Sequence, residues 1–338
     1  MKAAYIEKTG APDVIVYGDL PDPQITETQC LVRVGAVDVN PIDVYVRAGM
    51  IPTPSKLPLV LGRDLAGTVE KVGAKVTRFR PGQRVWATSQ GAGGRPGTFS
   101  ERAAVDEAWL NLTPDNVSDE EMAALSLVGM TACLGLTNHA RLRPGETIFV
   151  NGGSGGVGSC VVQMSKILGA RVATTAGSAE KVEICKSLGA DFVINYKGED
   201  VSGAVRGYAA NGVDVWWETL REPDFDRIVS LLALRGRIIL MAGRDARPQF
   251  PVGPFYVKDC SLLGFAVFNA PVEEQRAAAD LINKWISSGR LKAQIDRILP
   301  LSQAAEAHRL QEASTIGKTG ELKGKIVLKP WNDDLNRS

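Results

Sequence analysis

Histidine is almost missing from this chain. His139 and His308 are the only two in 338 residues, and each sits in a helical-looking stretch (LTNHARL, AEAHRLQ) with no partner at metal-ligand spacing. That inventory argues against histidine-based catalysis and against a histidine metal centre. Cysteine is sparse and scattered: Cys30, Cys133, Cys160, Cys185 and Cys260 form no C-x-x-C pair. A disulfide framework and a tetrathiolate zinc site both fit badly, and buried reduced thiols are the expectation. No run approaches the roughly 18 apolar residues of a membrane span. The opening MKAAYIEKTGAPDVIVYGDL lacks the basic-then-apolar pattern of a signal peptide, so a cytoplasmic address is expected. Charge of one sign is lacking too: Lys+Arg 39 stand against Asp+Glu 38, which gives no reason to expect a nucleic-acid partner.

What is present is an ordinary globular composition, 44% hydrophobic and 23% charged, in a chain long enough for about two domains. Residues up to about 120 read as short strands broken by proline and glycine. CLVRVGAVDVN (30–40) alternates at period two, and LAGTVEKVG (65–73) and RVWAT (84–88) continue the pattern. The rhythm changes at S118-D119-E120-E121, a capping serine with acids in the first helical turn and Glu121 three residues on. Strands and helices then alternate: TIFV, VGSCVVQMSKILG, RVATTAG, AEKVEICKSLG, DFVIN, DVWWET, DFDRIVSLLAL, RIILMAG. Such alternation predicts an α/β fold with a doubly wound parallel sheet. From about 268 the pattern loosens, and the closing GKIVLKP reads as a strand returning to the first domain. The expected organisation is a first part at 1–122, a dinucleotide-binding domain at 123–267 and a returning part at 268–338.

The stretch FVNGGSGGVGS (149–159) holds five glycines in eleven positions. Glycine costs roughly 0.5–1 kcal/mol relative to alanine inside regular structure, so so many together imply a close backbone approach. Gly153, Gly155 and Gly158 make G-x-G-x-x-G where a strand passes into a helix, the setting that gives the motif its meaning. The first glycine is expected to permit the turn, the second to admit a pyrophosphate and the third to let helix and strand pack closely. With Ser154, Gly156 and Val157 they form the predicted phosphate cradle, aided by the helix N-terminus. An NAD site usually carries an acid about 20 residues on. Here the second strand ends T174-T175-A176-G177-S178 without one, and Lys181 follows. A hydroxyl and an ammonium suit a 2′-phosphate, so NADPH is expected over NADH, with Glu180 as the alternative acid. GKTG (317–320) lacks the upstream strand and glycine of a phosphate loop and is read as a surface turn.

VDVNPIDVYVRAG (37–49), PLVLGRDLAGTVEKVGAKVTRFRPGQRV (58–85), GGSGGVGS (152–159), TTAGSAEKVEICKSLGADFVINY (174–196) and GKIVL (324–328) together resemble the medium-chain dehydrogenase/reductase superfamily. Within it the chain is most similar to the zinc-free quinone oxidoreductases of the ζ-crystallin type, over residues 1 to about 330. The resemblance implies a GroES-like β-barrel catalytic domain interrupted by a Rossmann domain, an active-site cleft between them, and a homodimer. Zinc-dependent relatives place a cysteine in the segment matching 38–45 and a His-Glu pair after Gly62. This chain has Asn40 and Asp43 in the first and Arg63-Asp64 in the second, and the four-cysteine structural-zinc loop is absent. Neither zinc site can be assembled, and no flavin requirement is visible.

By the family's pattern Asn40 orients the nicotinamide end, and Tyr45 donates a hydrogen bond to the acceptor or serves only as an amphipathic wall. Tyr196 flanks the adenine ribose and its phosphate with Gly177, Ser178 and Lys181. Met241, Ala242 and Gly243 border the nicotinamide ribose. Phe265, Ala266 and Val267 offer backbone groups to the carboxamide, and Lys323 either reaches the phosphates or stands as a solvated lysine. Tyr45, Met130 and Thr131 line the substrate cleft, with Met130 and Cys133 where some relatives carry aromatics. The double tryptophan Trp216-Trp217 is read as core packing. The implied activity is hydride transfer from NADPH to a quinone, which needs less help from a Lewis acid than an ordinary carbonyl. Two alternatives stand beside it. One is reduction of α,β-unsaturated carbonyls or enoyl thioesters, although the tyrosine of enoyl thioester reductases is missing from G49-M50-I51-P52. The other is an NADPH-binding structural or interaction protein with little turnover.

Overall fold

The computed structural model describes residues 1–52 and 57–331. The chain forms two compact units, one from residues 1–127 and 271–338, the other from 128–270. The first division falls after Leu127, within the helix Asp119–Leu134, and the second after Ala270, each a few residues beyond the expected bounds at 122 and 267. That helix starts as its sequence dictates. Ser118 N donates to Glu121 Oε2 at 2.9 Å, and Glu121 N donates back to Ser118 Oγ at 3.2 Å.

The first unit is built on the strand Gln29–Val39, whose valines alternate into the core. It pairs antiparallel with Leu65–Val72, Arg102–Asp106 and Lys325–Lys329. Two irregularities in register against Leu65–Val72 bend it, so that one strand serves three partners. Arg84–Ala87, Leu110–Leu112 and Ile295–Pro300 complete this sheet, and Ile15–Asp19, Lys2–Ile6 and Leu59–Val60 form a smaller one. The returning strand Lys325–Lys329 thus lies against residues 37–39, nearly three hundred positions earlier. A short helix, Pro41–Arg47, follows the long strand; it is opened by proline at its first position and by Asp43, whose carboxylate accepts Asn40 N at 2.9 Å.

The second unit is a six-stranded parallel sheet. From edge to edge it runs Phe192–Asn195, Arg171–Ala176, Thr147–Val150, Val213–Glu218, Leu232–Leu240 and Ser261–Gly264. The helices Gly156–Ile167, Ala179–Ser187, Val201–Tyr208 and Phe225–Leu231 connect the strands in the doubly wound manner. Trp216 and Trp217 are fully buried, and Trp216 packs on Phe149 with ring centroids 4.1 Å apart. Two details differ from the sequence reading. Leu232–Leu234, read as the end of a helix, begin a strand, because Val213 pairs with Leu232. The helix Val201–Tyr208 has no counterpart in the reading; Gly203 and Gly207 dilute its apolar period, and Asp200 caps it by accepting from Ser202 N. Among the described residues no helix is long and apolar enough to cross a membrane. Burial pushes the Cys133 and Cys185 thiols up to about 12, which leaves both unreactive at neutral pH.

His308 is an unusual core residue. It is fully buried, packs edge-on against Phe99, and neither ring nitrogen has a hydrogen-bond partner. Burial, reinforced by the nearby Arg47 guanidinium, lowers its pKa to about 3. Arg47 is itself held by Glu312 at 2.6 Å and the Gly10 carbonyl at 2.8 Å. The unfolded chain binds this proton near pH 6.5 and the native state does not. Stability from this group is therefore complete above pH 6.5 and declines as pH falls toward 3, by roughly 2 kcal/mol at pH 5. His308→Leu removes that dependence, so the variant gains roughly this amount relative to the parent between pH 7 and pH 5 in urea denaturation. An unchanged difference at the two pH values would rule the account out.

Candidate active site

In the second unit the ends of the parallel strands gather the predicted cofactor residues on one edge of the sheet. The central strand Thr147–Val150 leads into Asn151 and the glycine turn. The turn is pinned from below. Gly152 N donates to Thr175 Oγ1 at 2.9 Å, and Gly153 N to the Thr175 carbonyl at 3.1 Å. The Thr175 hydroxyl donates to Asn151 Oδ1 at 2.9 Å, and Asn151 Nδ2 donates to both Glu218 oxygens at 2.9 and 3.2 Å. Glu218 is fully buried and also accepts from Trp216 Nε1 at 3.0 Å and Leu220 N at 2.7 Å. A buried carboxylate so surrounded by donors is a rigid post. None of Asn151, Thr175 and Glu218 stood out in sequence, because a single polar residue in or just after a strand shows no period.

The left-handed backbone falls on Gly152 (φ 82°) rather than on Gly153, which was expected to make the turn. Gly153 instead lies against Thr174; a Cβ there would meet Thr174 Oγ1 at 2.2 Å. Gly158 packs on the turn itself, with a Cβ position 2.1 Å from the Gly152 carbonyl. Gly155 is different: its Cβ position meets protein only at 3.4 Å. No side chain caps the helix Gly156–Ile167 at Gly155, so the backbone N–H groups of Gly156, Val157 and Gly158 are left to a ligand beside Ser154. The cradle fits a pyrophosphate.

Beside it, the tip of Arg171–Ala176 brings together Gly177, Ser178, Lys181 and Tyr196. The Tyr196 phenol lies over Gly177, where a Cβ would meet its oxygen at 2.4 Å, and Tyr196 N donates to the Ala176 carbonyl at 3.2 Å. Ser178 caps the helix Ala179–Ser187 by accepting from Lys181 N, which leaves its O–H available to donate. Met241, Ala242 and Gly243 follow the end of Leu232–Leu240, with Gly243 in a left-handed conformation (φ 83°). Phe265, Ala266 and Val267 follow Ser261–Gly264. The Phe265 ring stacks on His139 at 4.4 Å and meets Trp217 edge-on, so this segment has only backbone groups to offer. Met130 is fully buried and Thr131 nearly so.

In the first unit Asn40 is fully buried at the centre of a charged group. Its Nδ2 donates to Asp38 Oδ1 and to Asp64 Oδ2, both at 2.8 Å. Its Oδ1 accepts from Lys325 Nζ at 2.7 Å, and the same ammonium lies 2.8 Å from Asp38 Oδ2 and 3.1 Å from the Val39 carbonyl. Arg63 lies 3.6 Å from Asp43 and donates to the Gln90 carbonyl. Burial lifts Asp43 to about 6, against the pull of Arg63. Tyr45 is half-buried on the helix that Asn40 precedes. Lys323, expected either at the phosphates or in solvent, is exposed with its backbone N–H on Asp296; the buried lysine of this segment is Lys325, two residues on. Asp38 and Lys325 were missed because both stand inside strands, as ordinary alternating positions.

These residues do not suit zinc. Where zinc-dependent relatives supply thiolate and imidazole, this chain sets an amide, a guanidinium and a carboxyl, and an ammonium occupies the amide oxygen. Among the described residues no group of three or more His, Cys, Asp or Glu is arranged to hold a metal ion.

Comparison with known proteins agrees with this architecture. Residues 26–115 match the alcohol dehydrogenase GroES-like domain family, and residues 156–284 match the zinc-binding dehydrogenase family. The rat quinone oxidoreductase is 32% identical over 330 residues, covering 97% of each chain. The chloroplastic NADPH-dependent alkenal/one oxidoreductase of Arabidopsis thaliana is 32% identical over 339 residues, covering 98% of this chain and 80% of that protein. The crystal structure of Escherichia coli quinone oxidoreductase complexed with NADPH superposes with a TM-score of 0.86 at 26% identity, over 98% of this chain and 100% of that one. The chain belongs to the medium-chain dehydrogenase/reductase superfamily. Within it, it is an oxidoreductase of the quinone oxidoreductase type, with the GroES-like and Rossmann domains of that family.

The two glycine environments separate packing from binding. Gly158→Ala drives a methyl into backbone and is expected to lower the melting temperature clearly. Gly155→Ala is expected to cost no more than about 1 kcal/mol of stability while weakening NADPH binding at least about tenfold, through a methyl set where the pyrophosphate approaches. Thermal denaturation and fluorescence titration read the two effects; equal behaviour of the variants would contradict the division.

Proposed function

We propose that the chain is a zinc-independent NADPH:quinone reductase. The observation that carries this reading is the Lys325–Asn40–Asp38–Asp64 group, in which Asn40 and Asp64, from the two segments that resemble the zinc-ligand segments of relatives, are engaged with each other and Asn40 with Lys325. When bound, NADPH supplies a hydride from C4 of its nicotinamide. The protein's part is position and electrostatics. The glycine turn and the N–H groups at 156–158 hold the pyrophosphate. Ser178 donates to the 2′-phosphate, Lys181 neutralises it, and Tyr196 covers the adenine ribose. Met241–Gly243 border the nicotinamide ribose, and backbone groups at 265–267 meet the carboxamide. Asn40, buried and fully engaged, acts on the nicotinamide end from behind by fixing the start of the helix Pro41–Arg47, and Tyr45 on that helix donates its O–H to the acceptor oxygen. Without a Lewis acid the acceptor must be electron-poor already, which favours a quinone over a simple ketone.

A second reading is supported by the Arabidopsis alkenal/one oxidoreductase, which is as similar as the quinone oxidoreductases. Reduction of an α,β-unsaturated carbonyl would use the same residues. We also read the chain as a homodimer. The strand Ser261–Gly264 ends the sheet with an open edge, and Leu262 on it and nearby Tyr256, Val257 and Leu234 are exposed. A second copy pairing along this edge covers them.

NADPH oxidation against 1,4-benzoquinone, 9,10-phenanthrenequinone, a simple enone and crotonyl thioester tests the acceptor. Quinone turnover that survives EDTA is expected. Turnover confined to the enone or thioester moves the assignment to a double-bond reductase, and tight NADPH binding without any turnover moves it to a binding role. Lys181→Ala is expected to raise KM for NADPH about tenfold and to leave NADH nearly unaffected; equal losses contradict the 2′-phosphate role. Light scattering on the purified chain is expected to return twice the chain mass.

A further inference from the structure

The charge count around Asn40 does not close. Asp38, Asp64 and Lys325 are buried to 1%, 0% and 5% exposure, and they bring two carboxyls against one ammonium. The neighbouring charges are Asp43 and Arg63, which face each other and balance. Thr88, from the loop after Arg84–Ala87, lies beside Asp64 and brings a hydroxyl but no charge. Two ionised carboxylates converging on one amide nitrogen, with a single cation within reach, would leave a buried uncompensated charge costing several kcal/mol. One proton removes the imbalance.

The geometry says which atoms carry it. Asp38 has the ammonium at 2.8 Å on one oxygen and the Asn40 amide on the other, so it is the better-compensated carboxylate. Asp64 receives the amide hydrogen on Oδ2 and has the Thr88 hydroxyl beside it, and neither of these is a cation. Burial first, then the charge of Asp38 and a hydrogen bond between the two carboxyls, raise the Asp64 pKa well above the usual range.

The same contacts fix the amide. With Oδ1 toward the ammonium and Nδ2 toward the two carboxyls, every contact of the Asn40 side chain is attractive. A flipped amide would face its NH2 to Lys325 and its oxygen to both acids. We propose that Asp38 and Asp64 hold one proton between them at neutral pH, and that this pair, with Lys325, is a positioning unit that locks the Asn40 amide. The role of Asn40 toward the nicotinamide rests on the function proposed above; the shared proton does not.

Infrared spectroscopy of the full chain tests the proton directly. At pH 8, where Asp43 is ionised, the protein is expected to show the C=O stretch of a protonated carboxylic acid, and Asp64→Asn is expected to abolish it. Absence of the band, or its persistence in Asp64→Asn, overturns the proposal. The positioning role is read from kinetics with whichever acceptor the enzyme uses. Asp64→Leu is expected to lower kcat at least about tenfold while the NADPH dissociation constant moves little, since misplacement of a reacting group acts on the chemical step. Asp64→Asn, which keeps a neutral hydrogen-bonding side chain, is expected to recover most of that loss and to flatten the alkaline limb of the pH–rate profile. Equal loss in the two variants overturns the positioning role. Should the unmodified protein turn over no acceptor, the functional assignment fails while the infrared band still decides the shared proton.

Discussion

A single buried ammonium organises the first unit. Lys325 stands 5% exposed on the returning strand and reaches the Val39 carbonyl, Asn40 and Asp38 at once. An unpaired lysine at that depth would shed its proton or draw in water, so its presence demands the acids around it. Those acids in turn demand Asn40 as a bridge, and the backbone pairing of Ile326 with Val39 and Val327 with Asp38 delivers the ammonium to the right depth. Sheet register and site electrostatics are therefore the same constraint. A slip of one residue in that pairing would turn Lys325 to the other face and leave Asp38 without a counter-charge.

The second unit solves the opposite problem. There the buried ion is an anion, Glu218, compensated by amide and indole donors rather than by a cation. It holds Asn151, Asn151 holds Thr175, and Thr175 holds the N–H of Gly152. The glycines give the turn its freedom, and this chain of hydrogen bonds takes the freedom away again at all but the ligand-facing atoms. Preorganisation of this kind spares a bound dinucleotide the entropy of ordering a loop.

How much of this could be read in advance depended on the kind of signal. The alternating strands and helices of the second unit, the capping serine Ser118 and the glycine turn were legible, because periodicity and turn chemistry are local properties. So was the acid-free strand tip with Ser178 and Lys181. The helix Val201–Tyr208 was obscured by its glycines, and the first strand turn of Leu232–Leu234 by leucines that suit either state. Asp38, Asp64, Glu218 and Lys325 were illegible as a set. Each is one charged residue in an otherwise ordinary strand or loop, and only the register of strands far apart in sequence shows that they meet. Lys325 was illegible for this reason: it opens the strand Lys325–Lys329, while Lys323 stands just before it, and composition alone does not show which lysine is drawn into the sheet.

The discontinuity of the first unit has a bearing on how the protein is made. The second unit is one uninterrupted stretch, whereas Asn40 waits for a lysine synthesised 285 residues later. During translation the dinucleotide-binding unit has all its strands before the first unit has its returning strand, and domains generally fold as units in the order they emerge. Until Lys325 arrives, residues 37–39 of the strand Gln29–Val39 lack their partner strand and Asp38 lacks its counter-charge. The edge of Gln29–Val39 is thus completed by the strand that also brings Asp38 its counter-charge.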